Sequence, residues 1–235
     1  MGAGAGGVGK RRIPGGGLTV AAVVAAVLAA CSGYGGAKDE HGGGEERKPA
    51  RSPLSVGALR KLAAEPGTSC PVPYDVPAAL RAAGVEADRV ESGSVDGELP
   101  DDLDTPLARA DGALVGCGYR VGAERARLFT VGVARGYAVD VMLPQIQHDA
   151  RMGRDVLRRY AEEVHEAEPG DAPLVVPGGN VAAVRLPVAG GGDMALVVTV
   201  GDDGRTRLSR HRVGALTRNL AHQARLTHQA HQTHS

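Results

Sequence analysis

Hydrophobic and polar positions alternate with different periods along this chain, and the changes of period predict its elements. Residues 18–30 form an apolar run behind Lys10, Arg11 and Arg12, and residues 32–53 hold almost nothing that could enter a core. Val56, Leu59 and Leu62 then recur at helical spacing, predicting a short helix within residues 54–65 that Pro66 and Gly67 close. Pro71 and Pro73 keep the next stretch extended. Asp75 reads as an N-cap, with Pro77 in the first turn and Gly84 as the C-terminal glycine of a helix through residues 78–83. Residues 85–107, acidic and broken by Gly93, Gly97, Pro100 and Pro106, read as mostly loop with at most one short strand.

Residues 113–121 and 125–134 predict a hairpin turning at Gly122, Ala123 and Glu124. Strict alternation fails where Phe129 and Val131 interleave with Leu128, Thr130 and Val133, so both faces of that strand are expected to be partly covered. Ile146, Ala150, Leu157, Ala161 and Val164 share one helical face, predicting a single long amphipathic helix over residues 144–167 that ends before Pro169 and Gly170. Residues 174–177, 181–188 and 194–200 read as strands separated by glycine-rich turns, and Asp202, Asp203 and Gly204 as a further turn. Ser209 caps a final helix that turns Val213, Leu216 and Leu220 inward. This order predicts an α+β fold: an antiparallel sheet of roughly five strands with the long amphipathic helix and the C-terminal helix packed on it. Short turns between consecutive strands argue against parallel winding.

The start of the chain changes the picture from fold to location. A basic n-region, an apolar h-region of 13 residues and small residues behind it describe a secretory signal peptide. At about 1.5 Å per residue the run spans roughly 20 Å, short of a ~30 Å hydrocarbon core. The glycines among residues 2–7 have no strand before them, as a nucleotide-binding turn would need. Leu28, Ala29, Ala30 and Cys31 resemble the lipobox of bacterial lipoproteins: Leu at −3, small residues at −2 and −1, Cys at +1. That resemblance implies cleavage before Cys31, a diacylglycerol on its sulfur and acylation of the new amine. The chain would then sit lipid-anchored on the extracytoplasmic face of the cell membrane. Arg11 and Arg12 raise a twin-arginine export route, but the preceding Lys10 and the interruption at Pro14 favour general secretion.

The expected organisation is a signal peptide (1–30), a flexible Gly-rich tether (31–53), a short helix (54–68), a disulfide-bonded α+β domain (69–221) and a His/Gln-rich polar tail (222–235). The tether cannot bury enough apolar area to offset the entropy of ordering. About 22 such residues reach roughly 25 Å, enough to lift a domain off a bilayer.

Composition narrows the partners. Removing residues 1–30 takes away three basic residues and no acid, so the formal charge moves from 0 to −3. That leaves no electrostatic footprint for nucleic acid. With no Trp and one Phe, the core must rest on Val, Leu and Ala. Setting Cys31 aside for the lipid leaves Cys70 and Cys117 as an even pair in an oxidising compartment, expected to form a disulfide. A buried free pair and a metal site are the alternatives; two thiolates without an ordered His nearby make a poor zinc set. Ser69, Cys70 and Pro71 before a short helix, then Gly116, Cys117, Gly118, Tyr119 and Arg120 in a strand, resemble small actinobacterial lipoprotein domains of unknown function. The resemblance supports the disulfide and the α+β fold, and carries no catalytic residue across.

Candidate chemistry is sparse. Residues 31–235 contain no Gly-x-Ser-x-Gly elbow and no His-Glu-x-x-His. The pairs Asp101–Asp102 and Asp202–Asp203 lie in turns where acids are usually solvated. His148 and His165 fall on roughly one side of the expected long helix, with His165 among acids at its end. The tail is the unusual feature. His222, His228, His231 and His234 alternate with Gln, and three of them at a spacing of three could share Zn²⁺, Cu²⁺ or Ni²⁺ through neutral imidazoles. The reading is therefore a non-enzymatic lipoprotein with a binding or envelope-interaction domain, attached to the membrane through Cys31. It needs no cofactor, and its protein or small-molecule partner is not named by the sequence. The alternative is metal handling by the tail.

Overall fold

The computed structural model describes residues 51–65, 67–86, 90–98 and 104–227. The leader, Cys31, the tether as far as residue 50, Asp101, Asp102, His228, His231 and His234 lie outside the described residues. In chain order the elements are β1 (Arg51–Pro53), α1 (Val56–Ala64), α2 (Val76–Ala82), β2 (Val90–Glu98), α3 (Pro106–Arg109), β3 (Gly112–Val121) and β4 (Glu124–Val133). They continue with α4 (Ala138–Ala150), α5 (Arg154–Glu166), β5 (Leu174–Val175), β6 (Val181–Arg185), β7 (Asp193–Val200), α6 (Arg210–Gln223) and β8 (Arg225–Thr227). Four helices start on a side-chain cap that the sequence supplies. Ser55, Asp75, Thr105 and Ser209 accept from the backbone N–H three residues on, at 3.1, 2.9, 3.1 and 3.3 Å.

The fold is α+β. Six strands form one antiparallel sheet in the order β2-β3-β4-β7-β6-β5, and β1 pairs antiparallel with β8 in a separate ribbon. Helices cover both faces. Beneath one face, α1, α2 and α6 bring Leu59, Leu80, Leu216 and Leu220 against Val115, Leu128, Leu196 and Val198. Beneath the other, α4 and α5 bring Ile146, Tyr160 and Val164 against Val131, Val181, Ala195 and Val197. All eight residues of β7 are buried, which is why strict alternation is lost at the centre of the sheet. Cys70 and Cys117 form a disulfide with a Cα–Cα distance of 5.6 Å, tying the lead into α2 to the middle of β3.

Three expectations are corrected. The sheet has six strands, not about five, because residues 90–98 are a nine-residue strand and not mainly loop. An edge position explains why its glycines and acids hid it: β2 is paired only on its β3 side, and its register shifts between Ser92 and Val95. Gly97 is also needed for packing, since a Cβ there would lie 2.3 Å from the Ala63 carbonyl oxygen of α1. The single long helix is two. The chain leaves α4 through Arg151 at φ 53°, with Met152 N–H donating to Gln147 O and Arg151 N–H to His148 O, a Schellman ending in which Arg takes the place of Gly. Apolar spacing alone missed this break because Ala150 and Leu157, seven apart, stay in phase across it. Finally, α1 belongs to the same core as the rest, with Leu59 fully buried. The ribbon of β1 and β8 carries regular structure across the expected tether and tail boundaries.

Candidate functional site

A polar cleft forms where α4 ends above β4 and β7. Along β4, Ala126 and Leu128 enter the α1/α2/α6 core while Arg127 and Phe129 point to the α4 side, the period-2 consequence of a strand. Register sets Thr199 of β7 opposite Arg127. The last turn of α4 adds His148, Asp149 and Arg151, and the turn after β7 adds Gly201, Asp202 and Asp203, closing a cleft of about 470 Å³ that Arg125 also lines.

Asp149 organises this cleft. Its side chain is 2 % exposed, and its oxygens accept from three donors: Arg127 Nη2 and Gln145 Nε2 on Oδ1, each at 2.8 Å, and Thr199 Oγ1 on Oδ2 at 2.9 Å. Its backbone carbonyl accepts from Asn180 Nδ2 at 2.8 Å. A carboxylate so enclosed is acceptable because each oxygen is satisfied and one partner is a cation. The rim is held differently. Arg151 and Asp203 are ion-paired, and both have positive φ, two of only three non-glycine residues with that geometry among the described residues. Non-glycine backbone in this region costs of order 1–3 kcal/mol and persists where surroundings impose it. Arg151 lies over the bare backbone of Gly204, where a Cβ would come within 2.9 Å of Arg151 Cγ, so the glycine leaves room for the side chain.

Adjoining the cleft along β4 is an apolar groove of about 470 Å³ between α3, α4 and β3, lined by Leu107, Leu114, Phe129, Val141, Met142 and Pro144, with Asp96, Thr105, Pro106 and Gln145 at its edges. Gly116 lies opposite Phe129 in the β3–β4 ladder, and a Cβ there would sit 3.4 Å from the ring, so the aromatic side chain lies across the bare glycine. A separate cluster stands at the start of α4. Asp193 accepts Arg185 Nη2 at 2.8 Å and Nε at 3.0 Å on one oxygen, and the first α4 amide, Ala138 N–H, at 2.8 Å on the other. Tyr137 stacks on His165 at 4.0 Å, and His165 Nε2 lies 2.7 Å from Asp140 Oδ1. These groups fasten α4, α5 and β6 together.

The residues singled out in the sequence scatter. Cys70 and Cys117 meet; His222 is exposed on the last turn of α6; Asp203 pairs with Arg151 and Asp202 bridges to Arg205. His148 and His165 do not share a helix: the first lines the cleft from α4, the second closes α5. No group of three His, Cys, Asp or Glu placed to hold a metal forms among the described residues, and no helix among them is long and apolar enough to cross a membrane. Arg125, Arg127, Asp149 and Thr199 escaped sequence reasoning. The available signal was the Arg125, Arg127, Phe129 alternation, which puts two cations and the single Phe on one face of a strand.

Fold and site together define a class: a disulfide-bonded α/β/α layered domain with a charged cleft and a neighbouring apolar groove. No family model, no curated protein and no solved structure matches the chain.

Proposed function

We propose that the chain is a lipid-anchored extracytoplasmic lipoprotein whose folded domain binds a ligand and performs no catalysis. The observation that carries the reading is the division of the cysteines. Cys70 and Cys117 are joined, as suits a compartment where disulfides persist, and the remaining Cys31 ends the Leu28, Ala29, Ala30, Cys31 motif behind an export-type leader. A diacyl anchor gives stable attachment where a single chain would not. The non-catalytic part draws on the cleft. Its buried carboxylate is saturated by three donors, an arrangement that fixes a shape and is poorly suited to moving a proton.

The test is the intact mass of native protein extracted from membranes, with and without reductant. A chain beginning at acylated Cys31 that gains about 2 Da on reduction is expected. An unacylated chain would overturn the anchor.

A further inference from the structure

We infer that the α4 side of β4 is a binding site for a single-chain anionic amphiphile, its acyl chain in the groove and its headgroup between Arg125 and Arg127. This deepens the binding reading above and does not depend on the anchor. Three observations carry it.

The first is continuity. Arg127 lines the polar cleft and Phe129, two residues on, lines the apolar groove, with the guanidinium 6.0 Å from the ring centroid. Gln145 lines the groove while donating to Asp149 in the cleft. The two hollows thus lie side by side along β4, one lined mainly by apolar side chains and the other by Arg125, Arg127 and Arg151 together with Asp149, Asp202 and Asp203. Each is within the ~300–1,000 Å³ of small-molecule sites.

The second is charge. Arg125 lies directly opposite Arg120 in the β3–β4 ladder, and like charges so placed repel. Glu91 lies directly opposite Arg120 in the β2–β3 register, and Asp202 and Asp203 line the same cleft as Arg125. Yet neither Arg120 nor Arg125 is within ion-pair distance of a carboxylate among the described residues, and Asp203 is engaged by Arg151. Arg127 already shares Asp149 with Gln145 and Thr199. An anion between Arg125 and Arg127 would relieve the repulsion and gain charge-assisted hydrogen bonds.

The third is the lining. Leu114, Phe129 and Val141 are only partly buried although they pack against the α4/α5 core, so apolar surface stays open on the strand face that also carries Arg125. A ligand with charge alone would leave that surface wet, and one with a tail alone would leave the arginines unmatched.

The test is calorimetric titration of the mature chain, residues 31–235 with Cys31→Ser, which lacks both the lipid and the apolar leader and so needs no detergent to compete for the groove. The probes are decanoate below its micelle concentration, decan-1-ol and acetate. Decanoate should bind at one site, with decan-1-ol and acetate each at least about tenfold weaker, the loss of roughly one charge-assisted bond or of the buried tail. Arg125→Gln should weaken decanoate about tenfold and leave decan-1-ol unchanged. Val141→Gln and Phe129→Leu should weaken both, while Arg159→Gln, exposed on α5, changes neither. Val141 is partly exposed, so its variant keeps the groove testable if Phe129→Leu unfolds. Acetate binding as tightly as decanoate, no effect of Arg125→Gln, or no saturable binding of decanoate overturns the site. An acylated Cys31 in the mass measurement would stand in any of these cases.

Discussion

Asp149 and Tyr160 illustrate how single side chains in this domain are fixed by what surrounds them. Asp149 is tolerated in the interior because three donors converge on it from β4, β7 and its own helix. Tyr160 is 4 % exposed and directs its hydroxyl to the Leu174 carbonyl at 2.8 Å, while Tyr74 pairs with the buried Thr130 hydroxyl at 2.7 Å. Burial raises the pKa of both phenols above the ordinary value of 10. Below pH 10 folded and unfolded chains both hold the phenolic proton, and the stability is fully present. Above it the unfolded chain releases protons that the folded chain keeps, so stability falls, by up to about 1.4 kcal/mol per pH unit for each tyrosine. Urea midpoints measured between pH 8 and pH 11 should drop steeply beyond 10, and Tyr160→Phe should reduce that slope. At neutral pH the same substitution costs about 1 kcal/mol for the lost hydrogen bond. Parallel pH profiles for the two proteins would refute the assignment.

At the scale of elements, α4 is the piece whose ends matter. Its N-terminus has no local side-chain cap, and Asp193, 55 residues further along the chain, accepts the Ala138 N–H instead. The same carboxylate neutralises Arg185, which also donates to the Ala167 carbonyl at 2.8 Å and stands 5.4 Å from the Tyr137 ring. Replacing Asp193 by Ala strands a largely buried guanidinium and an uncapped helix together, so the expected loss is about 3 kcal/mol. Chemical denaturation measures it, and a loss under about 1 kcal/mol would mean that water replaces both contacts. The C-terminus of α4 is set by Arg151 in the left-handed region, held against Gly204 and Asp203. Neither end has a local signature, which is why the sequence pattern placed this helix from residue 144 and ran it into α5.

For the whole molecule, the disulfide is the long-range constraint with the largest expected effect. Joining residues 47 apart stabilises by about 4 kcal/mol on the chain-entropy argument. Reduction, or replacement of Cys70 and Cys117 together by Ser, should lower the unfolding free energy by about that amount. Both sulfurs lie in the layer with α1, α2 and α6, so the lead into α2 should lose amide-exchange protection before the β4–β7 pairing does. Uniform loss across the sheet would contradict this order.

Local chemistry was enough to determine most elements from the sequence: Asp75 and Ser209 as caps, the turn after Val121, and the glycine-rich turns flanking β6 and β7. The pairing of Cys70 with Cys117 was likewise expected from the sequence, and the two form a disulfide. Position in the sheet decided the rest. Whether residues 90–98 are a strand depends on β3 being beside them, because their own glycines and acids favour a loop. The break after Ala150 falls where Arg151 meets Asp203 and Gly204, about fifty residues away in sequence. The cleft arose in the same way: Arg125, Arg127, Asp149 and Thr199 are ordinary residues in their own segments, and only the β4–β7 register and the end of α4 make them neighbours.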